Sequence, residues 1–504
     1  MPGGLPSAPA GSCSSGGRPH PRLLALAERL AQLLLLLALA GCLGLFLWQG
    51  GRLVHHPWPM DFGEGPTLDQ ALRLARGENL YPPPPLTSPW TSTNYPPLVA
   101  LLQAPLVLLF GPALWYGRLL SLLAVLAAAG CVGGIVRRLG GGRFGAWVAG
   151  GTLLAIPYVQ HWASLDRVDG PALGLACGAL YVLVRAPTCG RTLWLAAALL
   201  VAAIGARQSH VLAAPFAGAL FLGRAVGWRR GLALLGLVLG GSLILAGLLQ
   251  ALTGGFVFHV VLANLAPWEG ARVLYQAREM GRGMPLLLLG AGLGGFRLCR
   301  RGGAGAWLVL GFGLGALLSA LTVGKIGSNV NYLLEWSVAL CLALGLVFVK
   351  AGATGGHRLL AGIVLPLLLV AQLGGMVRWF QRGFWPERAA KLAWSAEVAQ
   401  LDETVRAAAG EVLADEYLAL LPLAGRPIPL EPFAMRQLAL TGRWDERPLV
   451  AKVMDRSYPV VLLYDPPDFD SFGERWPPRT AAALRQRYRP TQRLAGTLVL
   501  VPAR

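Results

Sequence analysis

The chain has 504 residues, 55% of them hydrophobic and only 14% charged, with a net charge of +19. That balance excludes an ordinary soluble enzyme and places the chain among polytopic membrane proteins. It also excludes a nucleic-acid-binding protein, because the basic residues stand in short clusters between apolar runs instead of gathering with aromatics on one soluble face.

Residues 1–22 are rich in Gly, Ser and Pro and read as a disordered cytoplasmic tail. The first apolar run, 33–48, follows Arg18, Arg22 and Arg29 and has no small-residue cleavage site after it, so it reads as an uncleaved span. A span needs about 20 apolar residues. Eleven candidates follow in order: 25–48, 114–136, 144–161, 169–185, 192–207, 211–226, 231–252, 284–298, 305–323, 332–349 and 358–378. The apolar segment 98–110 is too short for a span and suits a re-entrant or interfacial helix.

Between the first two spans lies a long polar interruption, MDFGEGPTLDQALRLARGENLYPPPPLTSPWTSTNYPPL, residues 60–98. It carries Asp61, Glu64, Asp69 and Glu78. An acid at mid-bilayer costs roughly 2.5–3.5 kcal/mol, so this loop is expected outside the hydrocarbon. Gly63 and Gly65 predict a turn leading into a helix over 66–76. The prolines of 81–85 and 94–97 impose extended backbone and suit either a rigid cover over a cleft or a plain linker.

If 98–110 does not cross, one side of the membrane collects Arg18, Arg22 and Arg29, then Arg137, Arg138 and Arg143, and further basic clusters ending at Lys350 and Arg358. The positive-inside rule makes that side cytoplasmic, although Arg52, Arg118 and Arg272 fall on or near the other. Nine of the ten acids before residue 379 lie on the other side, and only Glu28 lies inside. Acids contribute little to topology, so their gathering points to function at the outer face. Eleven spans starting inside place the C-terminus outside. Residues 380–504, with a helical pattern over 387–409 and strand-like runs at 459–464 and 496–501, read as a small extracytoplasmic α/β domain.

Three constellations stand on that face. Asp61 and Glu64 come first: a surface carboxylate can take a proton from an acceptor hydroxyl, or the two acids simply cap the following helix. Asp166-Arg167-Val168-Asp169 comes second, either to orient substrate or as a salt-bridged helix entry. Third are Arg207 with His210, and Lys325, which suit an anionic lipid phosphate or snorkel to headgroups. No P-loop, HExxH or GxSxG context occurs, so nucleotide-driven and hydrolase chemistry lack their parts. The seven cysteines show no CxxC spacing, and neither a metal cluster nor a disulfide framework is expected.

An order of short motifs carries a resemblance: Asp61-x-x-Glu64-Gly65, RGENLY, NYPPL, FGPALWYGRLLS, RRLGG, DRVDGPAL and ARQS. It is similar to the GT-C membrane glycosyltransferases, in the branch of protein O-mannosyltransferases and lipid A aminoarabinose transferases. The resemblance covers about residues 25–350 in layout. It implies an α-helical polytopic fold, a sugar donor carried on a polyprenyl phosphate, and an active site at the outer face of the plasma (inner) membrane. Carried over, it makes Asp61 the base with Glu64 and Asp169 assisting, and Arg207 and Lys325 the phosphate holders. Asp166, Arg167, His210 and Asn331 fall in as substrate-binding positions. Tyr95 joins them as a departure, standing where relatives have Lys before PPL. The acceptor, whether glycan, lipid or protein, stays open, as does a divalent metal bridging phosphate and acids. A transporter or flippase, and a non-catalytic envelope scaffold, are the rival readings.

Overall fold

The computed structural model describes residues 21–349, 359–467 and 469–503. Most of the expected tail, and the cytoplasmic Lys350 and Arg358, lie outside the described residues.

Helices form at all eleven expected positions: α1 (Pro21–His55), α4 (Trp115–Val136), α5 (Gly142–Ala155) with α6 (Pro157–Trp162), α7 (Asp169–Arg185), α8 (Gly190–Ala206), α9 (Ala213–Ala225), α10 (Trp228–Thr253), α12 (Pro285–Arg301), α13 (Gly303–Leu321), α14 (Leu334–Gly345) and α15 (Leu365–Gly383). The polar first loop holds α2 (Glu64–Ala75) and α3 (Leu98–Phe110), and α11 (Gly270–Gly283) precedes α12. Among the described residues six helical runs are long and apolar enough to cross a membrane. One of these runs, 115–155, is a hairpin and not a single rod. The chain breaks at Gly140 (φ 98°), and α4 returns antiparallel against α5. Small residues let the two backbones touch: a Cβ on Gly133 would stand 2.8 Å from Ala146 O, and one on Gly150 2.7 Å from Ala129 O.

Two helices that are apolar all round meet different surroundings. Every residue of α14 is buried except Trp336, so it is the innermost helix of the bundle. On α10 only Gly231, Leu234 and Val238 are buried, while Leu243, Ile244, Leu248 and Leu252 face outward. An exposed stripe of that kind is satisfied by hydrocarbon and not by water.

Beyond α15 the chain forms α16 (Trp385–Ala393) and α17 (Ser395–Ala407), then a four-stranded sheet with helices. The sheet order is β1 (Val412–Ala414), β2 (Val460–Tyr464), β4 (Thr497–Pro502), β3 (Tyr488–Leu494). β1 pairs parallel to β2 with Val412 opposite Val460; β2 pairs antiparallel to β4 with Leu462 opposite Val499. Helices α18 (Pro432–Leu440), α19 (Arg447–Met454) and α20 (Pro478–Arg487) complete this part. Their apolar faces, with Leu413, Val461 and Leu500 from the sheet, surround the buried Trp476.

The C-terminal part is sewn onto the first loop. Trp90 N donates to Pro429 O (2.8 Å) and Glu431 N to Trp90 O (2.9 Å), while Trp58 Nε1 donates to Ser395 Oγ (3.1 Å). Lys391 Nζ joins Met60 O (3.0 Å) to Glu416 Oε1 (2.6 Å), and Arg475 Nη2 takes Glu416 Oε2 at 2.5 Å. Arg475 also lies over the rings of Phe62 and Phe469, at 5.2 and 4.8 Å. Burial works against the charge on Glu416, but the two cations hold its carboxyl down at about 2.

Candidate active site

Helix α2 starts at Glu64, two residues earlier than its proline suggests, because Asp61 and Gly63 make the turn. Gly63 N donates to Asp61 Oδ1 (2.9 Å) and Glu64 N to Asp61 O (3.1 Å). Asp61 therefore shapes the turn into α2, but no side chain caps that helix, whose N-cap is Gly63. The Asp61 carboxylate also reaches a second segment: Arg167 Nη1 donates to Oδ1 at 3.0 Å. Arg167 lies over the Trp162 ring, and its guanidinium fills the space where a side chain on residue 63 would stand, so a larger residue there would displace it. The Asp61 side chain keeps about 25% of its surface exposed. Burial raises its carboxyl above the usual range, with Arg167 pulling the other way.

Glu64, expected to assist the base, is instead sealed in. Arg118 Nε and Nη2 donate to its two oxygens at 2.7 and 2.8 Å, and both side chains are fully buried. Met60 N (2.7 Å) and Asp166 N (3.0 Å) also donate to it. Arg118 spends its remaining donors on the carbonyls of Leu53, His56 and Trp58. Against the pull of burial, Arg118 holds the Glu64 carboxyl below its ordinary value. No edge of this carboxylate is left for a substrate, so the geometry corrects the expectation: Glu64 ties the first loop to α4.

Asp166 departs from expectation in the same way. It is fully buried, accepts from Gln103 Nε2 of α3 at 2.6 Å, and has a second oxygen without a partner among the described residues. Burial, with Glu64 nearby, pushes it up to about 7. A substrate has no path to it, and it serves to hold α3 against the 163–168 turn.

Asp169 opens α7 and is fully buried. It pairs with Arg207, accepts from Asn331 Nδ2 (3.0 Å) and takes Trp162 Nε1 at 2.6 Å. Arg207 lies under the Tyr332 ring at 4.5 Å and is 3% exposed. Direct phosphate contact is thus closed to Arg207 in this conformation. Asn331 is likewise buried at the pair, and His210 Nδ1 sits 3.0 Å from Glu335 Oε1 with both side chains enclosed. These four, expected to touch substrate, form an enclosed polar layer behind Tyr332.

In front of that layer lies an open cleft with a cavity of about 160 Å³. Arg167, Tyr95, Lys325 and Tyr332 border it, and the Phe62–Gly63 turn places Asp61 beside it. Burial lifts the Tyr95 phenol to about 12, so it is a hydrogen-bond donor at neutral pH. Among the described residues Lys325 has no acidic partner, which leaves its ammonium for a ligand. Glu431, Phe433 and Gln437 from the C-terminal part also border the cleft. Sequence reasoning missed them and Arg118. Among the described residues no group of three or more His, Cys, Asp or Glu stands ready to hold a metal.

Residues 94–252 match the family model of dolichyl-phosphate-mannose-protein mannosyltransferase, a stretch that includes Tyr95, Arg118, Arg167, Asp169 and Arg207 but not Asp61. No curated protein matches the chain by sequence. Two solved structures share its fold. ArnT from Cupriavidus metallidurans in the apo state is 13% identical with TM-score 0.59, over 92% of this chain and 97% of that one. ArnT from the same organism bound to undecaprenyl phosphate is 14% identical with TM-score 0.55, over 95% and 98%. The resemblance to the GT-C membrane glycosyltransferases, in the branch of ArnT and the protein mannosyltransferases, therefore holds in the fold of nearly the whole chain and in the sequence of residues 94–252.

Proposed function

We propose that this protein is a membrane glycosyltransferase that moves a sugar from a polyprenyl-phosphate donor to an extracytoplasmic acceptor. Asp61 is the base. The acceptor oxygen attacks the anomeric carbon, its proton passes to Asp61, the carbon–oxygen bond to phosphate breaks, and the phosphate leaves on the lipid with the freed electron pair. Because the donor is already activated, positioning and charge stabilisation supply most of the rate. Lys325 meets the departing phosphate, and Tyr95 donates to it. Arg167 orients Asp61, while the Asp169–Arg207–Asn331 layer holds Tyr332 at the cleft wall.

In this reading eleven helices cross the membrane, with the N-terminus cytoplasmic. The bundle spans residues 23–379, the first extracytoplasmic loop covers 49–113, and residues 380–504 form an extracytoplasmic domain. No step needs a metal. The observation that supports the reading is that Arg167 and Lys325 border one cleft, with Arg167 bonded to Asp61 beside it, in a chain whose fold matches an ArnT bound to undecaprenyl phosphate.

The test is transfer from radiolabelled undecaprenyl-phosphate sugars by purified protein in proteoliposomes. Wild type, Asp61→Asn and Lys325→Ala are compared, scoring both transfer and release of sugar to water. Removing a general base costs about 10²–10⁴-fold in rate. Asp61→Asn is expected to fall in that range and Lys325→Ala to weaken donor use. Equal rates in all three, or none in wild type with any donor, would remove the proposal.

A further inference from the structure

The cleft is not chemically uniform. Arg167 and Lys325 supply positive charge, while residues 431–437, the start of α18, supply an acid, an amide and an aromatic ring from the C-terminal part. Glu431 is 7% exposed, and Ser92 N (3.3 Å) is its one hydrogen-bond donor among the described residues. Gln437 is 8% exposed and borders the cleft, and its Nε2 is buried with no partner among the described residues. Phe433 lies between them in sequence and is half-buried at the same wall, with Gln70 and Asn94 beside it.

A lipid phosphate has no reason to approach this wall, since Glu431 would repel it and Lys325 offers a better place. A ligand that fits must be uncharged, must both donate and accept hydrogen bonds, and must carry an apolar face for a ring. A sugar has those properties: hydroxyls donate to a carboxylate and accept from an amide, and its C–H face covers an aromatic side chain. From this juxtaposition we infer that Glu431, Phe433 and Gln437 form a carbohydrate subsite, and that the acceptor bound there is a glycan. Burial lifts the Glu431 carboxyl to about 7, so near neutrality it exchanges readily between accepting and donating. Assigning the subsite to the acceptor rests on the transferase reading; the binding of a sugar there does not.

The experiment uses the full chain in lipid nanodiscs and saturation-transfer NMR. The probes are methyl α-D-mannopyranoside, methyl β-D-glucopyranoside and methyl β-D-galactopyranoside, with undecaprenyl phosphate binding measured in parallel. At least one glycoside is expected to bind wild type. Phe433→Ala and Glu431→Gln are expected to weaken it at least about tenfold, the size of one good contact to a charged group. Undecaprenyl phosphate binding should not weaken in either variant, which also shows that they fold. Failure of all three glycosides to bind wild type, or binding unchanged in both variants, overturns the subsite. If glycosides behave as expected but undecaprenyl phosphate does not bind wild type, the subsite stands and the transferase reading falls.

Discussion

Truncating Glu64 decides whether that residue holds the structure or reacts. The change Glu64→Ala leaves the Arg118 guanidinium fully buried without its carboxylate, and breaking such a pair costs about 3–5 kcal/mol. Met60 N and Asp166 N lose their acceptor as well, at about 1–3 kcal/mol each where water cannot reach them. The losses share one cavity and do not add fully, so a total near 5 kcal/mol is a fair working figure. At about 2–4 °C per kcal/mol for a large domain, the apparent Tm should fall by roughly 10 °C or more. Fluorescence-detected unfolding of the purified protein in nanodiscs reads this directly. Glu64→Gln keeps the shape and should fall by less. A Glu64→Ala protein that melts with wild type yet transfers no sugar would refute the reasoning and return Glu64 to the chemistry.

The remaining expectations follow from the same contacts. Asp166 holds its proton up to about pH 7 in the folded chain, while an unfolded aspartate releases it near about 4. The native state therefore binds more protons between those values, and stability falls as pH rises through that window. A Tm profile from pH 5 to 8 should slope downward, and Asp166→Asn should flatten it in part, Asp69 and Glu431 being raised too, to about 6 and about 7. Arg207→Ala should cost stability and rate together, since it orphans Asp169; lost rate at an unchanged Tm would mark Arg207 as a direct substrate contact. Glu416→Ala strands Arg475 and leaves Lys391 only the exposed Glu387 at the seam, and limited proteolysis should then cut between residues 380 and 420, where wild type resists.

The apolar runs made the bundle legible, because a helix of hydrophobic residues reads alike whether lipid or protein surrounds it. For the same reason, period and length did not distinguish α14, enclosed but for Trp336, from α10, almost wholly at the surface. The strand β2 showed as a run of Val and Leu, but β3 did not: YRPTQRL is an edge strand with the side chains of 489–493 in water, and Pro490 is tolerated there. Asp61, Arg167 and Lys325 could be singled out because charged groups near a membrane need partners. Whether a given acid faces a cleft or a guanidinium depends on residues 54 positions away, as for Glu64 and Arg118, and no local pattern carries that. Arg118 itself looked like an outlying surface base, because an arginine buried among three backbone carbonyls leaves no mark in the neighbouring sequence.

The seam of Lys391, Glu416 and Arg475 joins the earliest polar segment of the chain to nearly the latest. During synthesis, then, residues 60–98 wait through hundreds of later residues before their counterpart arrives. Until it does, the cleft lacks the wall that Glu431 and Phe433 supply. A half-made chain therefore presents an incomplete cleft.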